Sequence, residues 1–223
     1  MAKMSLKAVD RAIERHANWL RDPLTGDRAD FTGQTLSRLA YFSEADLRYA
    51  IFRGANLTGV DFSSARLNGA DLRGSLLMEC NFDGADLTEA DLTGAYLGNA
   101  RMSRAKLTGA KLSVLSHPSV GDTELLTAEP YPPLVEDILC CIDSGRGRLD
   151  MHAWHTPEMS SCGTVHCLAG WAVTVHAVGR RLEHLLGTSA AAALIFQACL
   201  GEVPDYYSTR KVALSWLRKQ KDK

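Results

Sequence analysis

Gly84-Ala85-Asp86-Leu87-Thr88-Glu89-Ala90-Asp91-Leu92-Thr93-Gly94 is a five-residue unit written twice: a small residue, an acidic one, Leu, and two polar or small residues. Reading outward, the large apolar position recurs every fifth residue from Phe42 to Leu112, fifteen times without a break. Two residues before each of these lies a small one, twelve of the fifteen being Ala and the others Val60, Ser75 and Cys80. A period of five fits neither the 3.6 of a helix nor the 2 of a strand. It fits a coil with four short sides, one unit per side, in which a bulky residue and a tiny one share the interior. The remaining three residues face outward and turn the corner, and Gly54, Gly59, Gly69, Gly74, Gly84, Gly94 and Gly109 all fall on that corner.

A four-unit turn stacks residues twenty apart. One interior column then reads Phe42, Phe62, Phe82, Met102, with Cys80 packed beside it as a buried residue rather than a reactive one. Phe31 and Leu36 keep the spacing but stand one residue out of frame, which predicts an entering partial turn with one extra residue.

The segment Ala40 to Leu112 resembles the pentapeptide-repeat family, whose pattern is A-(D/N)-L-X-X. The resemblance implies a mainly β chain, with a right-handed quadrilateral β-helix over residues 26–115. The remaining divisions are an N-terminal capping helix in 1–25, a linker in 116–133 and a small all-α domain in 134–223.

The capping helix is read from Leu6, Val9, Ile13 and Leu20 on one stripe between Ser5 and Leu20, stopped by Asp22-Pro23. Trp19-Leu20 followed by Gly26-Asp27-Arg28-Ala29-Asp30-Phe31 resembles the leader of phage-associated pentapeptide-repeat proteins. His117-Pro118 and Pro130-Tyr131-Pro132-Pro133 are linker chemistry. Beyond them, apolar segments predict five short helices: Leu134 to Ile142, Val165 to Val178 capped by Thr164, Arg180 to Leu186, Ser189 to Leu200, and Ser208 to Lys219.

The formal net charge is −1, so nothing global favours nucleic acid or membrane as partners. No apolar run reaches the roughly 18–20 residues of a membrane span, and no apolar signal core follows Met1. The six cysteines include adjacent Cys140 and Cys141 and read as reduced thiols, which makes a cytoplasmic protein the expectation.

Two outward features stand out. An acidic belt of Asp71, Glu79, Asp83, Asp86, Glu89 and Asp91 holds only Arg73 as a cation, and the next turn carries Arg101, Arg104, Lys106 and Lys111. Leu76, Met78 and Tyr96 break the polar rule on the fourth side and form an apolar strip that something should cover, first the chain's own helical domain and second a partner or second copy. Tyr41, Tyr49 and Ile51 also point outward, where the N-terminal segment could shield them.

In the C-terminal part, Cys162-Gly163-Thr164-Val165-His166-Cys167-Leu168-Ala169-Gly170-Trp171 resembles a C-G-T-x-x-C-x-A-G-W segment of uncharacterised phage and bacterial proteins, for which no activity is implied. His152, His155, Cys162, His166 and Cys167 are zinc-ligand types, but the x4 spacing of the cysteines is wide and His166 and Cys167 diverge on a helix. A Cys/His catalytic pair would need a third, orienting group. A packed turn of small residues is the simpler reading.

The expected function is therefore a non-enzymatic scaffold, without cofactor, that binds a protein partner through the outer faces of the coil as a monomer or homodimer. Direct nucleic-acid binding is not expected. One alternative is a DNA mimic acting on gyrase, as the resemblance implies for the quinolone-resistance group. The other is a metal protein or Cys/His enzyme built on the C-terminal segment.

Overall fold

The computed structural model describes residues 2–36, 41–112, 128, 131–143, 148–149, 165–166, 168–176, 179–206 and 208–222. From Tyr41 to Lys111 the chain winds with a fixed register. Tyr41 bridges Asp61, Asp61 bridges Asn81 and Asn81 bridges Arg101, all parallel, and the other three sides repeat the pattern. Each bridge joins residues twenty apart, so four five-residue sides make one turn. The entering turn bridges Asp30 to Ile51 and Thr35 to Asn56, twenty-one apart, which is the extra residue that the frame shift of Phe31 and Leu36 requires.

The expectation of a mainly β chain does not carry over as extended strands. A side contributes one outward residue to the ladder before the chain turns, so pairing in the repeat is by isolated bridges. Each bridge is held from both directions: Leu47 N–H donates to the Arg66 carbonyl at 2.8 Å, and Arg66 N–H donates to the Ala45 carbonyl at 2.9 Å. The interior is the one the period requires. Phe42, Phe62 and Phe82 are fully buried, and their rings stack at 5.2 Å between neighbours. On another side of the coil, Phe31 of the entering turn stacks on Phe52 at 5.1 Å.

Helix α1 (Leu6–Arg21) starts at Ser5, whose side chain accepts from Ala8 N–H, and lies over the first turn with Val9 and His16 buried. Ahead of it, β1 (Ala2–Lys3) pairs in parallel with β2 (Gln34–Thr35) and extends the fourth side by one more layer. Tyr41 is 81% exposed and Tyr49 49%, so the N-terminal segment does not shield them. Ile51 is half-buried and is paired by Asp30 of the entering turn.

The C-terminal part contains α2 (Leu134–Asp143), β3 (Arg148–Leu149), β4 (Val165–His166), α3 (Leu168–Val175), α4 (Gly179–Leu186), α5 (Thr188–Leu200) and α6 (Arg210–Lys221). The helix expected from Val165 begins at Leu168 instead, because Val165 and His166 pair in parallel with Arg148 and Leu149. Helix α5, Ala-rich and buried along most of its length, packs against α3 and α4. It ends at Gly201 in the left-handed conformation.

Candidate interaction surface

A coil leaves unpaired backbone groups at each end, and at both ends the chain itself supplies partners for some of them. In the body of the coil, Glu79, Phe82 and Gly84 donate their N–H groups to the Gly98, Arg101 and Ser103 carbonyls of the following turn. One turn later the equivalent residues are Asn99, Met102 and Arg104. Asn99 N–H donates to the Leu186 carbonyl at 2.7 Å, at the end of α4, and Arg104 N–H to the Pro204 carbonyl at 3.1 Å. Met102 N–H donates to Ser189 Oγ at 3.0 Å, in α5. Ser103, fully buried, accepts from Tyr206 N–H at 2.9 Å and donates to the Asp205 carboxylate at 3.4 Å. The helical part thus supplies acceptors where the next turn would have supplied them. None of these partners is legible in the sequence.

At the opposite end, His16 of α1 performs the same service. Its Nδ1 accepts from Ala29 N–H at 3.1 Å, and its ring stacks on Trp19 at 5.5 Å. The imidazole is fully buried. Burial lowers its pKa below the ordinary 6.5, outweighing the Asp46 carboxylate and the Arg48 backbone, which favour the cation; Arg28 and Arg48 disfavour it. Nearby, a cavity of about 220 Å³ opens between α1 and residues 27–30.

The acidic belt is not a free negative surface. Asp71 is held by Arg53 and Arg73, both at 2.7 Å, and these bonds, Arg73 first, keep its carboxyl far below the ordinary range. Asp83 pairs with Arg101. Asp86 pairs with Lys106 at 3.5 Å, and Asp91 with Lys111 at 3.2 Å. Three cations of the last turn, Arg101, Lys106 and Lys111, thus sit over carboxylates of the turn before it, while Arg104 pairs with Asp205 at 3.9 Å. Glu89 is exposed, and Glu79 makes interactions of its own.

On the fourth side, Leu76 and Tyr96 are bridge partners and, with Met78, are half-buried. The hydrogen bonds that anchor the helical part fall on Asn99 to Arg104, at the end of the coil, rather than on this strip.

Cys80 is fully buried; its thiol faces the Leu57 carbonyl at 3.0 Å, and burial pushes its pKa up to about 12. His152, His155, Cys162 and Cys167 lie outside the described residues, and only the backbone of His166, in β4, falls within them. Among the described residues no group of His, Cys, Asp and Glu could hold a metal ion. No helix among them is long and apolar enough to cross a membrane.

Residues 40–77 and 80–113 match the family described as Pentapeptide repeats, in 8 copies. Among solved structures, a pentapeptide repeat protein of the cyanobacterium Cyanothece 51142 is 30% identical over 37% of this chain and 55% of its own, with a TM-score of 0.36. This chain thus spans about half the length of that relative. A pentapeptide repeat protein of Nostoc PCC 7120 is 33% identical over 50% of this chain and 78% of its own, with a TM-score of 0.29. QnrB1, a plasmid-mediated fluoroquinolone resistance protein, is 23% identical over 40% of this chain and 61% of its own, with a TM-score of 0.28. No curated protein matches the chain.

Proposed function

Because the chain belongs to the pentapeptide repeat family, a family of protein-interaction scaffolds, we propose that it is a non-enzymatic scaffold whose coil is the family's right-handed quadrilateral β-helix and whose fourth side receives a protein partner. One observation carries the choice of face. In the coil, the residue before each large interior one is commonly Asp or Asn, whose side chain accepts the N–H two residues on: Asp61 from Ser63 at 2.9 Å, Asn81 from Asp83 at 3.1 Å, Asp91 from Thr93 at 3.0 Å. At Leu76 and Tyr96 the chain forgoes that bond for two stacked apolar side chains. Both ends of the coil are occupied by α1 and the helical part, which leaves the side walls as the available surface.

The ion pairs of Asp71, Asp83, Asp86 and Asp91 remove the dense negative row that a DNA mimic needs, so the gyrase reading is not favoured. The chemistry of the buried Cys80 supports no thiol catalysis, since a thiol with a pKa near 12 is not a nucleophile at neutral pH.

The test is a triple change of Leu76, Met78 and Tyr96 to Ser, compared with the unchanged chain by scattering, sizing and capture of proteins from the source cell. The scaffold reading expects a folded monomer that has lost a partner captured by the parent. A halved mass would make the partner a second copy, and a longer particle would make it a segment of the same chain. Unchanged mass, shape and capture would refute the assignment of this face.

A further inference from the structure

Charge neutrality in this chain is local in one place and absent in another. In the coil, Arg53, Arg73, Arg101, Lys106 and Lys111 each lie against an aspartate. Helix α6 is different. Its inner side is committed to the fold: Ala213, Leu217 and Gln220 are buried, and Trp216 meets Phe196 edge-on at 5.8 Å. Its outer side carries Arg210, Lys211, Arg218 and Lys219, all exposed, and among the described residues none of these four is in an ion pair. Lys221 pairs with Glu136 at 3.8 Å. The neighbouring acids are otherwise engaged or at the edge: Glu202 accepts from Gln220, and Asp222 follows the helix.

Arg210 and Lys211 also stand in the first turn, which holds no acidic residue. Cations there oppose the positive end of the helix dipole, so helix stability does not select this first pair, whereas Arg218 and Lys219 in the last turn complement the dipole. The two pairs, eight residues apart, are separated by about 12 Å along the helix at 1.5 Å per residue. That is about the width of the major groove of B-DNA. With the apolar residues turned inward, only Val212, 55% exposed, remains on the outside, too little for insertion into a bilayer.

Against the expectation drawn from the balanced net charge, we propose that the outer face of α6 docks on double-stranded DNA, Arg210 and Lys211 against the phosphates on one bank of the major groove and Arg218 and Lys219 against those on the other. The contact is electrostatic and independent of base sequence. It is separate from the protein-binding face of the coil and does not rest on it.

The experiment measures fluorescence anisotropy of a labelled duplex of about 20 base pairs with the full chain. With four phosphates neutralised, the slope of log affinity against log salt is about −3.6, a roughly 150-fold loss between 50 and 200 mM salt. The variant Arg210→Gln, Lys211→Gln, Arg218→Gln, Lys219→Gln alters exposed side chains only, and its folding is checked by circular dichroism and sizing. It is expected to bind at least tenfold more weakly at the lower salt, with a nearly flat salt dependence. Absence of duplex binding by the parent at 50 mM salt would overturn the proposal, as would an unchanged affinity and slope in the folded variant. Tighter binding to phosphatidylserine vesicles or to a single strand of equal length than to the duplex would also overturn it, assigning the face to a membrane or to unpaired nucleic acid.

Discussion

At the scale of the residue, the fold is set by which of five positions a side chain occupies. Phe62 lies in the middle of a column of stacked rings, and Arg66, four residues on, points outward. Phe62→Ala removes a ring that cannot be replaced by collapse of its rigid neighbours, and denaturant unfolding is expected to show a loss of about 3–5 kcal/mol. Arg66→Ala gives up an exposed pair with Asp46 and is expected to stay within about 0.5 kcal/mol. The corner position carries a cost that the amino-acid pattern only half reveals. Glycines mark half of the corners, but Glu44, Tyr49, Ser64, Glu79, Glu89, Asn99 and Arg104 adopt the same left-handed backbone, with φ between 56° and 64°. An L residue is disfavoured there by about 1–2 kcal/mol. Ser64→Gly, at an exposed corner, is therefore expected to raise stability by about 0.5–1 kcal/mol after the entropy lost with glycine is deducted. Gly69 is the opposite case, since a Cβ there would lie 2.7 Å from the Tyr49 ring.

At the scale of the element, the joints between coil and helices decide stability. Ser189 is the one side chain among the three acceptors on the last turn. Ser189→Ala leaves Met102 N–H buried without a partner, and a loss of about 1–3 kcal/mol is expected in denaturant unfolding. At the other joint, His16 makes the molecule sensitive to acid. Its folded-state pKa is lowered, so the unfolded chain takes up the proton first. The stability that neutral His16 contributes is fully present above the ordinary value of 6.5 and declines as pH falls below it toward the folded-state value. A protonated Nδ1 can no longer accept from Ala29. The urea midpoint is expected to be flat above neutrality and to fall below about pH 6.5. His16→Gln, which has no titrating group, is expected to flatten that part of the profile. The aspartates act in a separate, more acidic window. Asp71, Asp86 and Asp91 have lowered pKa values, so their contribution holds above the ordinary 3.8 and is lost only below it.

These joints also mark where the sequence stops being legible. The coil could be read because its rule is local and repeats: fifteen interior residues, the corner glycines and the extra residue before Phe42 are all visible in one dimension. Helix α1 could be read from its stripe and from Ser5. The joints could not. Met102 and Ser189 are eighty-seven residues apart, and nothing in either neighbourhood names the other. The start of α3 is hidden in a similar way, because Val165 and His166 pair with Arg148 and Leu149 instead of joining the helix. The belt is hard to judge from the sequence because, apart from Arg73 on Asp71, its pairs form across turns, with Arg53, Arg101, Lys106 and Lys111.

At the scale of the whole molecule, the twenty-residue register has a consequence for how the chain can change length. Every turn presents the same backbone groups above and below, so neither terminal lid can detect how many turns lie between them. The coil behaves as a ruler with detachable segments, in which a whole turn is the unit of growth. Excising residues 60–79 would bring Gly59 onto Cys80 with the frame intact and Phe42 beneath Phe82. Such a shortened chain is expected to remain folded, with α1 and the helical part closer by one strand spacing, about 4.8 Å, in a scattering profile. Excising three units instead of four would rotate one lid by a quarter turn against the other, and the altered particle shape would show that the ruler sets angle as well as length.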